Sequence, residues 1–341
     1  MATPFSLSLV VPVHNDAEGL TRLLRQAEAF GVFQALVVCD DASTPPCRPA
    51  DLGFDEAALG ITYLRSEICR GAGHARNQGL AAVATEHVLF FDADDLLTEA
   101  LVDLIADLEG LAFDFCLFRH IDSRERAKGH PGPMPVDQGY WEAAGLAQTA
   151  PTRLNRAQQV RMTTIAAYPW NKIYRTGFLR DHGIRCTEIP VHNDIELHWS
   201  SFLLAERIYA SNALCCEHFV HTGGGRLTNR RGVERLEVFQ ALAPLHQTLA
   251  QSPLGPEVLW PLAQFEVGLC GWILTVLDTI HHAAFLQRAR VFFLTQYDSE
   301  TLALIASRAP RVVRDMMALL RREADVWETA LDTAQDREAQ P

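Results

Sequence analysis

A run of four apolar residues, 88–91, leads directly into three aspartates, Asp92, Asp94 and Asp95. A short apolar run of this kind predicts a buried β-strand, and open α/β sheets bind their ligands beyond the carboxyl ends of the strands. Crowded carboxylates repel one another, and a cation is the simplest compensation. Hard oxygen ligands suit Mg²⁺ or Mn²⁺, usually shared with the phosphates of a substrate. The sequence therefore predicts a site for a metal ion and a diphosphate.

A simpler reading of these aspartates is helix capping. Asp94 or Asp95 would cap a helix beginning near Leu96, and Thr98 offers another cap. Capping needs only one carboxylate, and Asp92 lies too early in the chain to serve. We therefore favour the metal site.

The rest of the first half alternates between strand-like and helix-like segments. Strands are predicted at 6–13, 35–39, 61–64, 88–91 and 113–118, with helices at 17–30, 71–85 and 98–109. This alternation predicts a parallel sheet covered by helices on both faces.

The second half is predicted to contain more helix. Residues 121–139 are polar and rich in Gly and Pro, which indicates a loop. Helices are then predicted at 155–166, 176–182 and 193–204, an extended segment at 168–174, and strands at 207–209 and 214–220. From residue 233 the apolar residues recur at helical spacing.

Composition limits the partners of the chain. The formal net charge of −12 over 341 residues makes nucleic acid an unsuitable partner. Eight cysteines without a Cys-x-x-Cys pair indicate reduced thiols in a cytosolic protein. The apolar segment 267–277 is too short to cross a bilayer. We expect a cytoplasmic protein that is at most peripheral at the inner face of the membrane.

Polar residues follow the first two predicted strands. Pro12 is expected at a strand end, since proline is disfavoured in the interior of a sheet. Asn15 or Asp16 would cap the next helix. A carboxylate of the pair Asp40 and Asp41 would accept hydrogen bonds from a base or a ribose unless the pair forms only an Asx turn. Neighbouring parallel strands present their ends to one crevice, which favours a shared binding site.

A glycine turn with two arginines, Arg70 and Arg76, opens the predicted helix at 71–85. Helix amino termini attract anions through unpaired N–H groups. The spacing is neither a Walker loop nor Gly-x-Gly-x-x-Gly. A lone arginine here would be a surface charge, but beside two acidic strand ends Arg76 is expected to face inward.

Four motifs in order, Val-Pro-Val-His-Asn-Asp, Cys-Asp-Asp-Ala-Ser, Ala-Arg-Asn-Gln-Gly and Phe-Asp-Ala-Asp-Asp, resemble the nucleotide-binding half of glycosyltransferase family 2. The match covers about residues 5–110. The resemblance implies the GT-A fold and inverting transfer from a nucleotide-diphosphate sugar, commonly a UDP-sugar, with Mn²⁺ or Mg²⁺.

The resemblance also implies residue roles. Asp41 would contact the uracil, and Pro12 would lie against the nucleoside. Asp92 and Asp94 would reach the ribose and the metal, with Asp95 as their neighbour. The full set expected to bind the nucleotide sugar is Pro12, Val13, Asn15, Asp41, Arg70, Arg76, Asp92, Ala93, Asp94, Lys172 and Arg226.

The second half contains a Trp-Asn-Lys segment ending at Lys172 and an Asn-Asp pair, Asn193 and Asp194, similar to the family's Glu-Asp pair. The resemblance implies that Asp194 is the catalytic base. The chain departs from the common pattern at Asn193, which makes the neighbourhood less acidic. The alternative for Asp194 is a helix cap, a role that Asn193 also fits.

Residues 218–228 resemble the closing loop of the family. Arg226 would hold the leaving diphosphate. His221 is the predicted third metal ligand, with His218 as its alternative, and either histidine would otherwise pack at a strand edge.

We therefore predict an α/β GT-A domain at 1–230, divided into a nucleotide-binding half (1–110) and an acceptor half (111–230), followed by a helical region at 231–341. The expected activity is transfer to the hydroxyl of a carbohydrate or glycolipid acceptor in surface polysaccharide or glycoconjugate synthesis. The alternatives are a sugar-nucleotide nucleotidyltransferase and a non-catalytic binding subunit. The helical region is a candidate for homodimer formation.

Overall fold

The computed structural model of the protein describes residues 5–219 and 230–322. The chain divides into two compact units, 1–223 and 224–341. All strands of the described residues belong to the first unit, and the described part of the second unit is largely helical.

Four parallel strands form the first half of the sheet. They are β1 (Leu7–Val13), β2 (Ala35–Asp41), β3 (Ile61–Ser66) and β4 (His87–Phe90), in the order β3-β2-β1-β4. Along β1, Leu9 packs into one core cluster and Val10 into another, because successive side chains point to opposite faces. Both faces of this half are therefore covered, as the alternating pattern predicts.

Three helices cover this half of the sheet: α1 (Ala17–Phe30), α2 (Ala72–Ala82) and α3 (Ala100–Leu108). Leu20, Leu23 and Leu24 of α1 join the cluster of Leu9, and Ala75 of α2 joins that of Val10. Asp16 caps α1 by accepting a hydrogen bond from the Gly19 amide at 2.9 Å. The capping role considered for Asp16 is therefore confirmed.

The second half of the sheet is mixed. Its strands are β5 (Leu96–Leu97), β6 (Phe115–Asp122), β7 (Thr152–Arg153), β8 (Lys172–Arg175) and β9 (Ile208–His218). The full order is β3-β2-β1-β4-β8-β6-β9-β5, with β7 beside β9. Strand β8 is antiparallel to both β4 and β6, whereas β6 and β9 are parallel. The predicted α/β class is confirmed, with antiparallel pairs that the sequence pattern did not reveal.

Two local predictions were wrong. The predicted loop 121–139 contains two helices, and the strands predicted at 207–209 and 214–220 form the single strand β9. Pro135 begins the second of these helices at a position where a missing N–H costs nothing. The polar residues near 212 mark irregularities in the β6–β9 register rather than a turn. The helices of this part are α4 (Ser123–Ala127), α5 (Pro135–Ala143), α6 (Arg156–Met162), α7 (Thr176–Asp181) and α8 (Ile195–Leu204).

The second unit contains α9 (Val238–Gln251), α10 (Gly255–Val276), α11 (His282–Gln296) and α12 (Ser299–Arg308), and residues 310–322 are also mainly helical. Helix α9 buries Val238, Ala241, Leu242, Leu245 and Leu249, which is the spacing of one helix face. The predicted helical region is therefore confirmed over the described residues.

Helix α10 extends well beyond the apolar segment 267–277. It has 22 residues and is long and apolar enough to cross a membrane by length and composition alone. Half of its most apolar window is buried inside the protein, as in the core helix of a globular unit. One such helix is weak evidence for a membrane span.

Candidate active site

The loops after β1 and β2 are tied together by hydrogen bonds. The Asn15 amide donates to the Ser43 hydroxyl at 2.8 Å, and the Asn15 side-chain oxygen accepts from the Thr44 amide at 2.7 Å. Pro12 lies near the end of β1, beyond the last residue paired with β4, as predicted. Pro12 is half-buried and Val13 is buried. These residues therefore lie together at the carboxyl ends of β1 and β2, where the binding crevice is predicted.

Asp41, the last residue of β2, organises the turn that leads into α2. Its carboxylate accepts hydrogen bonds from the backbone amides of Arg70 at 2.8 Å and Gly71 at 2.7 Å, and from the Cys69 thiol at 3.1 Å. Gly71 has a φ of 91°, which only glycine adopts readily. Each carboxylate oxygen has two lone pairs, so Oδ1, which accepts the Arg70 amide, has capacity for a further donor.

The two arginines of this motif form ion pairs within the protein. The Arg70 guanidinium lies 2.9 Å from the Glu188 carboxylate. Arg76 is buried and donates to Asp92 at 2.6 Å and to the side-chain oxygen of Asn193 at 2.8 Å. Burial alone would lower the pKa of Arg76, but the Asp92 charge raises it above its ordinary value, so the group stays charged. Arg76 therefore faces inward, as expected.

The acidic residues after β4 converge. Carboxylate oxygens of Asp92, Asp94 and Asp95 lie within 4.8 Å of one another. Helix α3 begins only at Ala100, so none of the three caps it and the capping alternative is wrong. Three hard oxygen donors in this arrangement fit Mg²⁺ or Mn²⁺.

Asp95 differs from its two neighbours because it is fully buried. It accepts hydrogen bonds from the His218 ring at 3.0 Å and from the Phe219 amide at 2.9 Å. Burial raises the pKa of Asp95, and His218 opposes the increase. A carboxylate bonded to one ring nitrogen of a histidine leaves the other nitrogen to face a metal ion. Asp95 is therefore better placed to orient His218 than to bind a metal through both of its oxygens.

Ala93 lies between the two half-buried aspartates, but its side chain packs in the core cluster that contains Phe91 and Leu97. Its expected contact with the nucleotide sugar is therefore limited to its backbone. His221 and Arg226 lie outside the described residues.

Asp194 directly precedes α8, and its side chain makes no capping hydrogen bond to the first turn of that helix, which is fully described. The capping alternative is therefore wrong for this side chain. Burial raises the pKa of Asp194 to about 6, with a smaller contribution from Asp92, whereas Arg76 and Lys172 lower it. A carboxylate with this pKa is ionised at neutral pH and remains basic enough to accept a proton.

Lys172 does not line the crevice. It is fully buried, and its ammonium donates to the Tyr168 carbonyl and to the Asn171 side chain, each at 2.6 Å. Burial lowers its pKa to about 7, and the Asp194 charge opposes this decrease. The expectation that Lys172 contacts the donor directly is wrong for this conformation. Its charge acts on Asp194 instead.

Glu188 is a residue of this site that no sequence motif indicates. It accepts hydrogen bonds from Arg70 and His74, each at 2.9 Å, and from Asn77 at 3.3 Å. It fastens the segment before Asp194 to α2. Glu188 lies in an irregular stretch more than a hundred positions from its partners, so no local pattern indicates it.

Comparisons with solved structures agree with this architecture. The chain is similar to residues 1–349 of S. aureus TarS, solved in complex with UDP-GlcNAc, with a TM-score of 0.70 over 96% of this chain and 92% of that one at 18% identity. It is also similar to the mannosyltransferase PcManGT from Pyrobaculum calidifontis, solved with GDP-Man and Mn²⁺, with a TM-score of 0.53 over 95% and 89% of the chains at 16% identity. At these identities the likeness establishes the fold, which is that of the GT-A glycosyltransferases.

The sequence comparisons identify the family. The pattern described as Glycosyl transferase family 2 matches residues 8–182, just over half of the chain. The chain therefore belongs to glycosyl transferase family 2 and is a glycosyltransferase. This assignment disfavours both the nucleotidyltransferase and the non-catalytic alternative.

Two curated relatives match over part of their length. A pre-mycofactocin glycosyltransferase of Mycobacterium tuberculosis is 38% identical over 88 residues, which is 26% of this chain and 17% of the relative. The succinoglycan biosynthesis protein ExoU of Rhizobium meliloti is 23% identical over 205 residues, which is 58% of this chain and 57% of the relative. The chain thus matches less than two thirds of either relative.

Proposed function

We propose that this enzyme transfers a sugar from a UDP-sugar, with inversion, to an acceptor hydroxyl, and that Asp194 is the general base. The observation that carries the proposal is the double contact of Arg76, which bonds to Asp92 on one side and to Asn193 on the other. This contact brings Asp194 to the acidic end of β4, although the two segments are far apart in sequence. A base and a diphosphate site in one crevice are what direct displacement requires.

The donor side of the crevice is formed by the ends of β1, β2 and β4. Asp41 and the half-buried face of Pro12 are proposed to receive the nucleoside, with Val13 and Asn15 completing this edge. The UDP-GlcNAc complex of TarS, which shares the fold, supports a UDP-sugar as the donor class. The donor complex of PcManGT contains GDP-Man, so a donor screen should include GDP-sugars.

Asp92 and Asp94 are proposed to hold a divalent cation, with a ring nitrogen of His218 or His221 as a further ligand. The convergence of three carboxylates and the Asp95–His218 contact support this ligand set. When bound, Mn²⁺ or Mg²⁺ would act as a Lewis acid that stabilises negative charge on the departing diphosphate. Arg226 is proposed to hold the same diphosphate.

Asp194 is proposed to remove the proton from the acceptor hydroxyl as that oxygen attacks the anomeric carbon from the face opposite the diphosphate. The raised pKa supports this role, because a base works best when its pKa lies near the working pH. Displacement with inversion needs no nucleophilic carboxylate from the protein. One suitably placed base is therefore sufficient.

The biological setting is proposed from the relatives. ExoU is named for succinoglycan biosynthesis, which supports a carbohydrate or glycolipid acceptor in surface polysaccharide or glycoconjugate synthesis. We place the enzyme in the cytoplasm or peripherally at the inner face of the membrane. The helical unit is proposed to dock the acceptor or to pair two copies of the chain.

The Asp194→Asn variant tests the proposal. Transfer from UDP-GlcNAc, or from the best donor of a UDP- and GDP-sugar panel, should fall by about 10²–10⁴-fold, since one general base contributes that much. Calorimetry with UDP and Mn²⁺ should give an affinity within about twofold of the wild type, because the base does not touch the nucleotide.

Asp181→Asn is the matched control, because the Asp181 side chain is 72% exposed at the end of α7. It should transfer at the wild-type rate. A parallel loss of transfer and UDP affinity in Asp194→Asn would show that Asp194 has a structural role and would contradict the assignment.

A further inference from the structure

The residue before the proposed base makes the contact that links the two sides of the crevice. The Asn193 side-chain oxygen accepts a hydrogen bond from Arg76 at 2.8 Å, and the other terminal nitrogen of Arg76 contacts Asp92 at 2.6 Å. Asn193 and Arg76 are both buried. One guanidinium therefore bridges an aspartate of the metal cluster and the residue adjacent to Asp194.

Several hydrogen bonds join the chain before Asn193 to α2. The Asn77 side chain donates to the Cys186 carbonyl at 2.9 Å and accepts from the Cys186 amide at 3.0 Å. The Thr187 amide donates to the Asn193 carbonyl at 2.9 Å. His192 has a φ of 65°, an uncommon conformation that the surrounding contacts must hold. Asn193 is thus the last anchored side chain before the base.

An amide suits this position better than a carboxylate. A carboxylate at 193 would compete with Asp92 for the charge of Arg76, and it would add a negative charge beside Asp194. The Asn193 oxygen accepts the same hydrogen bond without a charge. Asp92 and Asp194 then remain the negative charges that interact with Arg76.

We propose that Asn193 is a positioning residue. Its amide ties the segment that ends at Asp194 to Arg76, and through Arg76 to Asp92, so that the base is fixed relative to the metal carboxylates. The proposal rests on the role of Asp194 as the base.

Two substitutions at Asn193 distinguish the loss of its hydrogen bond to Arg76 from the addition of a negative charge. Asn193→Ala removes the anchor, and kcat for UDP release from UDP-GlcNAc with Mn²⁺ should fall by about 10- to 100-fold, since small displacements of a reacting group are costly. The affinity for UDP with Mn²⁺ should change by less than about twofold. Asn193→Asp keeps the accepting oxygen, so kcat at pH 8 should return to within about threefold of the wild type.

The added charge of Asn193→Asp provides a second readout that needs no donor. In protein labelled with ¹³C at the aspartate carboxyls, the signal of Asp194 is the one missing from Asp194→Asn. Its titration midpoint should rise by about one pH unit in Asn193→Asp, because like charge disfavours ionisation. Asn155→Ala is the matched control: it removes the cap of α6, so it should lower Tm while kcat stays at the wild-type value.

Wild-type kcat in both Asn193 variants with an unchanged Asp194 midpoint would overturn the proposal, and an inactive Asp194→Asn would then leave the base assignment intact. Wild-type activity in Asp194→Asn would instead remove the base, and this inference with it. A loss of UDP affinity and Tm together in Asn193→Ala would show that Asn193 supports folding rather than positioning.

Discussion

The two units each contain a cluster of polar residues, and the two clusters differ in how far they are exposed to solvent. In the second unit Glu266 is fully buried in α10, where its two oxygens accept hydrogen bonds from His246 at 2.9 Å and from Tyr297 at 2.5 Å. In the first unit Asp92, Asp94 and Asp194 remain partly exposed at the crevice. A closed cluster of this kind contributes to stability or specificity of the fold. The open cluster of Asp92, Asp94 and Asp194 instead reaches solvent, and the raised pKa of Asp194 indicates a functional site.

The largest expected effect on stability is in the closed cluster. Glu266→Ala leaves the Tyr297 hydroxyl and the His246 ring unpaired in the core, so the free energy of unfolding should decrease by about 3 kcal/mol. Urea denaturation of the full chain measures this change. Gln264→Ala, on the exposed face of the same helix, should change the value by less than about 0.5 kcal/mol. A loss equal to that of the control would show that the cluster does not stabilise the unit.

In the open cluster, we expect a substitution to weaken ligand binding without lowering stability. Asp94→Ala is expected to weaken Mn²⁺-dependent UDP binding by about tenfold or more, because one ligand of the proposed metal site is lost. Tm should remain unchanged or rise slightly, since removing one of three crowded carboxylates relieves repulsion. Calorimetry with and without Mn²⁺ tests this prediction. Unchanged binding would refute the metal assignment.

The difference between local and distant contacts explains which features could be predicted from the sequence. The strands β1, β2 and β4 and the aspartates that follow β4 were predictable, because each depends on a continuous run of residues. The contact of Arg76 with Asn193 and the partners of Glu188 were not, since those contacts join segments more than a hundred positions apart. Lys172 was misassigned because a motif indicates a residue type but not its burial. Helices α4 and α5 were missed because Gly and Pro in 121–139 suggested a loop.

The pH dependence of transfer should follow the ionisation of Asp194 in the open cluster. Because burial raises the pKa of Asp194 to about 6, the base is protonated and inactive below that pH and ionised above it. The value of kcat/KM should therefore be constant from about pH 7 upward and fall about tenfold per pH unit below about pH 5. Measuring kcat/KM in overlapping buffers from pH 4.5 to 8.5 tests this decrease, which is the acidic limb of the pH profile. A rate that stays constant down to pH 4.5 would contradict the assignment of Asp194.

The smallest expected effect concerns Lys172, which is buried like Glu266 but lies near the open cluster. Lys172→Met replaces the ammonium with an apolar chain of similar length, and such replacements of buried charges are often neutral for stability. The acidic limb of kcat/KM should shift to higher pH, by less than about one unit, because Lys172 no longer lowers the pKa of Asp194. Lys128→Met, at a side chain that is 62% exposed, should leave the limb unchanged. A large loss of stability without any shift of the acidic limb would show that Lys172, like Glu266, stabilises the fold and does not act on the base.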